Sequence, residues 1–314
     1  MKKIFFALII LFSFLELRGQ ESQTEYNFLR LPVSAHAAAL GGENITIIED
    51  DPSLMFSNPA LASSVSDMTI GLNYMNYMSG ANYMGASFTK IVKERATLGV
   101  GVQYMNYGTM REFTEEHVEV GTFKASEIAV QGIFSYELAR NIVGGITAKF
   151  INTTIGNYNS MAVGIDLGVN WYDGEHGWSV SAVAKNLGGQ IKAYEEDFGK
   201  MPFDLQVGVS RTLEALPLRL SLTLTDLTHY DYKLINHVNL GAEILFSESI
   251  WLGVGYNLRK KNEMAIGSGT DAAAYGAGFS VGGGINLERF KLNLAYGKYH
   301  AASNSLLINL AYTL

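Results

Sequence analysis

Cysteine is absent from the 314-residue chain. That excludes disulfides, thiolate metal centres and the acylated cysteine on which a lipoprotein anchor is built. Proline is scarce, at 5 residues, and none falls inside a segment that alternates. Only 17% of residues are charged and the net charge is -7. A general nucleic-acid binder needs a basic face, so nucleic acid is excluded as a partner. Beyond the first residues, no apolar run reaches the roughly 20 residues of a membrane-spanning helix. Catalytic constellations are missing as well. His36, His117, His176, His229, His237 and His300 are scattered without ligand spacing. Ser87-Phe88-Thr89-Lys90 has the S-x-x-K spacing of penicillin-binding enzymes. It falls in an expected strand, however, where Ser87 and Lys90 point to opposite faces. The expectation is a protein that is not an enzyme and holds no cofactor and no metal.

Residues 1–19 read as a signal peptide. Lys2 and Lys3 precede an apolar stretch over 4–15, and Leu17-Arg18-Gly19 leads to Gln20. The mature chain therefore leaves the cytoplasm. Residues 20–66 neither alternate nor form one long helix. Phe28 to Leu40 have helix-compatible spacing, which Gly41-Gly42 end. Asn44 to Ile48 suit a short strand. Asp50-Asp51-Pro52 is a turn signal, read as solvated in preference to a cation site. Pro59 fits the first turn of a new helix. The segment reads as a plug around which the following strands close; the alternative is an ordinary N-terminal extension.

From residue 67 to 314 the period is two. Met161, Val163, Ile165, Leu167, Val169 and Trp171 alternate with Ala162, Gly164, Asp166, Gly168 and Asn170, and Leu306, Ile308, Leu310, Tyr312 and Leu314 behave likewise. Apolar residues alternating with small or polar ones suit a barrel with lipid outside and a polar interior. A soluble sandwich also alternates, but its polar face usually carries more Lys and Glu. About 14 antiparallel strands are expected, at 67–77, 80–91, 95–107, 125–138, 141–153, 158–172, 177–187, 202–213, 217–227, 235–247, 249–258, 275–287, 289–299 and 305–314. Turns after even-numbered strands are short. The long connections, 108–124, 188–201, 228–234 and 259–274, all follow odd-numbered strands. Short periplasmic turns and long outer loops are the outer-membrane pattern, which places both chain ends in the periplasm. Tyr74, Tyr104, Tyr136, Trp171, Trp178 and Tyr256 near strand ends suit interfacial girdles. The inward charges Lys149, Asp166, Asp204, Arg219 and Glu243 either pair with the plug or line a pore.

Phe56-Ser57-Asn58-Pro59-Ala60-Leu61, with its hatch motif Asn58, Pro59 and Ala60, resembles the N-terminal hatch of the FadL-like outer-membrane barrels. Residues 26–44, YNFLRLPVSAHAAALGGEN, together with 186–190 and 201–206, are similar to the PorQ-type barrels of the bacterial type IX secretion system, a PorV-related family. That resemblance implies a 14-stranded FadL-like barrel and a non-enzymatic part of the attachment complex. Its implied partners are the surface protein PorZ and the components PorU and PorV, with outer-membrane lipid and lipopolysaccharide around it. A fatty-acid site does not carry over, because no matching motif lies outside the hatch. Two functions stay open: an anchor for a surface partner, and a FadL-like passage for a hydrophobic solute. The anchor reading makes the long loops the contact surface, with Met110, Arg111, Phe113, Tyr194, Phe198, Arg259 and Met264 as candidate contacts, since Met, Arg and aromatics are enriched at interface centres.

Overall fold

A computed structural model describes residues 24–314 apart from 79, 116, 214, 231, 248, 264–275 and 301–302. The expected signal peptide lies outside the described residues. Fourteen strands follow: β1 (Thr69–Asn76), β2 (Asn82–Lys93), β3 (Ala96–Phe113), β4 (Glu119–Ala139), β5 (Ile142–Ile155), β6 (Tyr158–Asp173) and β7 (Trp178–Lys192) in the first half. The second half holds β8 (Asp204–Thr212), β9 (Leu218–Leu224), β10 (Val238–Ser247), β11 (Ile250–Asn257), β12 (Phe279–Asn286), β13 (Phe290–His300) and β14 (Ser303–Thr313). Each pairs antiparallel with its sequence neighbour, and β1 pairs with β14, from Thr69↔Thr313 to Asn76↔Leu306. The sheet is thus a closed barrel. Closure matters because an open edge has no partner for its N–H and C=O groups in hydrocarbon.

Alternation sets the faces. On β1, Leu72 is exposed and Asn73 buried; on β6, Leu167 is exposed and Asp166 buried; on β13, Leu294 is exposed and Asn293 buried. The apolar set points out and the polar set in, as a lipid-embedded barrel requires. Ser87 and Lys90 on β2 indeed differ: Ser87 is buried and Lys90 exposed.

The loop boundaries need correction. Residues 108–124 are not a loop: β3 and β4 continue as a hairpin to Phe113 and from Glu119. Thr109 to Glu112 pair with Lys124 to Gly121, beyond where β2 and β5 stop pairing. Water wets both faces there, so alternation fades while the backbone ladder persists. Similarly, β7 runs on to Lys192 and leaves 193–203 as the connection. Helix Leu258–Glu263 begins the β11–β12 connection, and the rest of the expected loop 259–274 lies outside the described residues.

The N-terminal segment does not form one helix. Pro32 disfavours helical backbone in the residue before it, and Leu31 is extended at φ -77, ψ 139. A 3-10 turn at Asn27–Arg30 and a helix at Ala35–Ala39 result. Asn44 to Ile48 form no strand, because the closed barrel offers no edge to pair with. Their backbone is bonded by side chains instead: Ser179 Oγ donates to the Thr46 carbonyl at 2.9 Å, and Asn58 Nδ2 to the Ile45 carbonyl at 3.0 Å. Then the same device appears twice. Asp51 accepts from Ser53 N at 2.8 Å and caps the 3-10 helix Pro52–Phe56; Asn58 accepts from Ala60 N at 3.0 Å and caps Pro59–Ser64. In both, an acceptor side chain precedes a proline whose missing N–H costs nothing in a first turn.

This segment crosses the barrel from mouth to mouth. Thr24 bridges Lys200 in the β7–β8 connection, and the Tyr26 hydroxyl lies 2.5 Å from Ser160 Oγ near the β5–β6 turn. At the other end, Leu314 N donates to the Met68 carbonyl beside the start of β1. The expectation set both chain ends at the short-turn mouth. Leu314 is there, but residues 24–26 lie at the long-loop mouth.

The lipid face yields a paired test. Leu72 is 55% exposed and Leu216, in the β8–β9 turn, 56%. Equal exposure means different solvents: bilayer for one, water for the other. Leu72→Arg should lower barrel stability by about 2–4 kcal/mol near the midplane, and Leu216→Arg by about 0–1 kcal/mol, measured by urea unfolding in vesicles. Equal losses would refute the assignment of faces.

Candidate functional site

The barrel interior is built around charges that the strands turn inward. Arg219 on β9 is held by Glu243 on β10 at 2.5 Å (Nε to Oε1) and by Glu49 of the N-terminal segment at 2.9 Å (Nη2 to Oε1). The second Glu243 oxygen lies 2.7 Å from His36 Nε2. The His36 ring is stacked on Trp251, with centroids 3.7 Å apart and planes 8° from parallel. Trp251 donates to Asn293 Oδ1 at 3.1 Å, and Asn293 donates in turn to Asp51 Oδ2 at 3.1 Å. Next to it, Asp50 pairs with Lys291 and accepts from Ser66 N at 2.7 Å. Asn309 accepts from Ala35 N and donates to the Val33 carbonyl at 2.9 Å and to Asn73 Oδ1 at 2.7 Å.

Two expectations change here. Asp50-Asp51 is no solvated turn: Asp50 meets Lys291, and Asp51 is buried against Ser53 and Asn293, while Glu49 meets Arg219, one of the inward charges expected to pair with the segment. Lys149, an anticipated partner, is instead bound to Asp166 at 2.7 Å and to Asn186 Oδ1 at 2.7 Å. Burial works against charge on both aspartates. For Asp51 burial prevails over the Ser53 bonds and pushes the carboxyl above its ordinary range. For Asp50 burial is outweighed by the Lys291 and Ser66 bonds together, which hold it below.

A second hub sits at the long-loop mouth. Asp226, buried and at φ 52, accepts from Arg30 Nη1 at 2.8 Å and pairs with Arg259; its own N–H donates to Asp204 Oδ1 at 2.6 Å. The Arg259 guanidinium also lies 4.8 Å over the Tyr232 ring. The hub ties the N-terminal segment to the β9–β10 and β11–β12 connections.

The hatch residues pack against backbone. Pro59 and Ala60 cross the inner faces of β5 and β6, and Ser135 Oγ donates to the Ala60 carbonyl at 3.1 Å. A Cβ at Gly145 would overlap the Pro59–Ala60 peptide, and one at Gly255 the Leu40–Gly41 peptide. The wall has glycine where segment and strand touch main chain to main chain.

The contact candidates separate. Met110, Arg111 and Phe113 lie on the projecting hairpin, where Arg111 Nη1 is 3.6 Å from Glu119 Oε2 and Phe113 is exposed with Val118 and Val120. Phe198 is exposed in the β7–β8 connection. Tyr194 is half-buried in the same connection, and burial pushes its phenol up. Arg259 is committed to Asp226, inside the mouth rather than on its surface. Met264 lies outside the described residues. Sequence reasoning missed His36, Lys291 and Asp226. Lys291 alternates with Leu292 and so was legible as inward; His36 lies outside the alternating segments, and Asp226 was included in the expected strand 217–227, although β9 stops at Leu224.

Residues 52–306 match the family model described as type IX secretion system membrane protein PorP/SprF. No curated protein matches the chain. Among solved structures, the toluene transporter TodX of Pseudomonas putida is similar with TM-score 0.58 at 13% identity, covering 90% of this chain and 97% of that one. A FadL homologue of Pseudomonas aeruginosa is similar with TM-score 0.54 at 11% identity, covering 89% and 97%. At such identities the likeness is one of fold.

Gly145→Val tests whether the interior contact holds the segment. Overpacking of about 1–3 kcal/mol or more should fall on the Pro59–Ala60 crossing. The barrel should still assemble, with its heat-dependent gel shift intact, while residues 24–65 become open to protease. Resistance equal to that of the parent would show that this contact is dispensable.

Proposed function

The chain belongs to the PorP/SprF family of type IX secretion system membrane proteins, and from that premise we propose that it is an outer-membrane anchor for a soluble surface partner. In this reading it is non-enzymatic and of the PorQ type, the partner is PorZ-like, and PorU and PorV belong to the same attachment complex. The N-terminal segment acts as the plug, and the long-loop mouth faces outward.

The observation that carries the reading is the β3–β4 hairpin. Beyond Asn106 its strands pair only with each other until Ala125 meets β5, so the tip stands clear of the neighbouring strands. It carries Arg111, Phe113, Val118 and Val120 into water. A barrel needs no such extension for closure, and binding residues concentrate on elements held out by a rigid scaffold. Its open strand edges suit pairing with an extended strand of a partner. The alternative is a passage for a hydrophobic solute, the role printed for TodX, a toluene transporter. A lumen crossed by a segment in main-chain contact with Gly145 and Gly255 favours the anchor.

Two measurements test this. In intact cells, an impermeant thiol reagent should label a cysteine at position 196 and not one at 175; the reverse would invert the orientation. Replacing 109–124 by a short Gly-Ser turn should release the partner into the medium while the barrel stays at normal abundance. If the partner stays on the cells after 193–203 is shortened too, the anchor reading fails and solute passage takes its place.

A further inference from the structure

The outer wall of the barrel is not evenly filled. Over β8 to β12 it holds a depression of about 780 Å³. That volume is within the roughly 300–1,000 Å³ common for ligand sites. One small side chain deepens it. Across the strands, Leu220, Ala242, Val254 and Val281 stand side by side on the outward face. Ala242 is the short member, and the next row, Leu222, Leu240, Tyr256 and Phe279, forms the far wall.

The two ends differ chemically. Tyr256 and Phe279 bound the depression where β11 ends and β12 begins, at the long-loop mouth. At the opposite end stand Trp178, the first residue of β7, and Arg211, next to the last of β8, both beside short turns. Arg211 is exposed on the lipid-facing side, with its guanidinium 4.8 Å over the Trp178 ring. Among the described residues, no carboxylate lies within ion-pair distance of it. A fixed cation at the edge of an apolar band calls for an anion or for water. Trp178 adds an indole N–H, a donor without acceptor capacity.

We infer that this depression is a phospholipid site: one acyl chain lies over Ala242 between the Leu220 and Leu240 rows, and the phosphate is held by Arg211 beside Trp178. An apolar trough one side chain deep, running from a cationic end toward an aromatic end, has the amphipathic order of a single lipid. The choice of phospholipid over the phosphates of lipopolysaccharide rests on the orientation proposed above, which puts Arg211 in the periplasmic leaflet. The anion chemistry does not depend on it.

The test is retained lipid. The full-length barrel and three variants, Arg211→Gln, Ala242→Trp and Arg140→Gln, are extracted from outer membranes in mild detergent and washed. Bound phospholipid is then counted by phosphorus and identified by mass spectrometry. The parent and Arg140→Gln, an exposed arginine at the same end but off the depression, should retain about one phospholipid more per barrel than the other two. The heat-dependent gel shift reports folding, and Ala242→Leu replaces Ala242→Trp should the latter misfold. Equal counts in all four overturn the site. Retained lipopolysaccharide in place of phospholipid overturns the choice of lipid. Loss of a co-purifying membrane protein with Ala242→Trp, with lipid unchanged, makes the occupant a protein segment. Retained lipopolysaccharide also counts against the orientation on which the hairpin reading rests, whereas equal counts or a lost protein segment leave that reading untouched, so the two failures are distinguishable.

Discussion

Arg219 cannot stand alone. A buried guanidinium keeps its charge at any working pH, and leaving it unpaired in a water-poor interior costs several kcal/mol. Glu243, its neighbour in the ring, supplies one carboxylate, and Glu49 of the N-terminal segment supplies the other. The remaining Glu243 oxygen is taken by His36 of the same segment. The strands therefore carry charges that the ring by itself does not satisfy. Lys291 repeats the arrangement with Asp50, and Asn293 repeats it with Asp51. The interior is specified by exchange of polar groups between segment and wall, while the exterior is specified by apolarity alone.

This division explains how much the sequence made legible. Along β6 and β14 one face meets lipid and the other meets the filled interior, and each residue type reports its side. Boundaries there were readable within a few residues. On the β3–β4 hairpin both faces meet water, so Thr109 to Phe113 carry no period and were read as loop. Inside the lumen the failure has another cause. Asn44 to Ile48 have strand-like composition, yet a closed ring has no edge left for them, and Ser179 and Asn58 take the place of a ladder. Such side-chain bonding follows no period, so neither the His36–Glu243 contact nor the Asp226 hub was readable in one dimension. The solvated reading of Asp50 and Asp51 failed for the same reason: a turn signal says that the chain bends, not what surrounds the bend.

The fold is shared with FadL-type barrels at 11% to 13% identity. So little identity suffices because the constraint is on residue class: apolar out, small or polar in, with glycine where the lumen segment presses main chain against wall. In this chain the constraint is weakest at the mouths, where both faces of a strand are exposed. The hairpin, the 193–203 connection and the Asp226 hub all lie there.

The meeting of β1 with β14 bears on assembly. Thr69 and Thr313 face each other across 244 positions of sequence, with their hydroxyls 3.0 Å apart. Contacts that distant in the chain form slowly, because the loop entropy of everything between them is spent first. The segment that crosses the lumen directly precedes β1 in the chain. Were the ring to seal without it, Lys291 would be shut in without Asp50, and Arg219 and Asn309 would keep only their wall partners Glu243 and Asn73, so the seam between first and last strand is more stable when it closes over an occupied interior. Closure of the seam and occupancy of the interior are thereby coupled in stability.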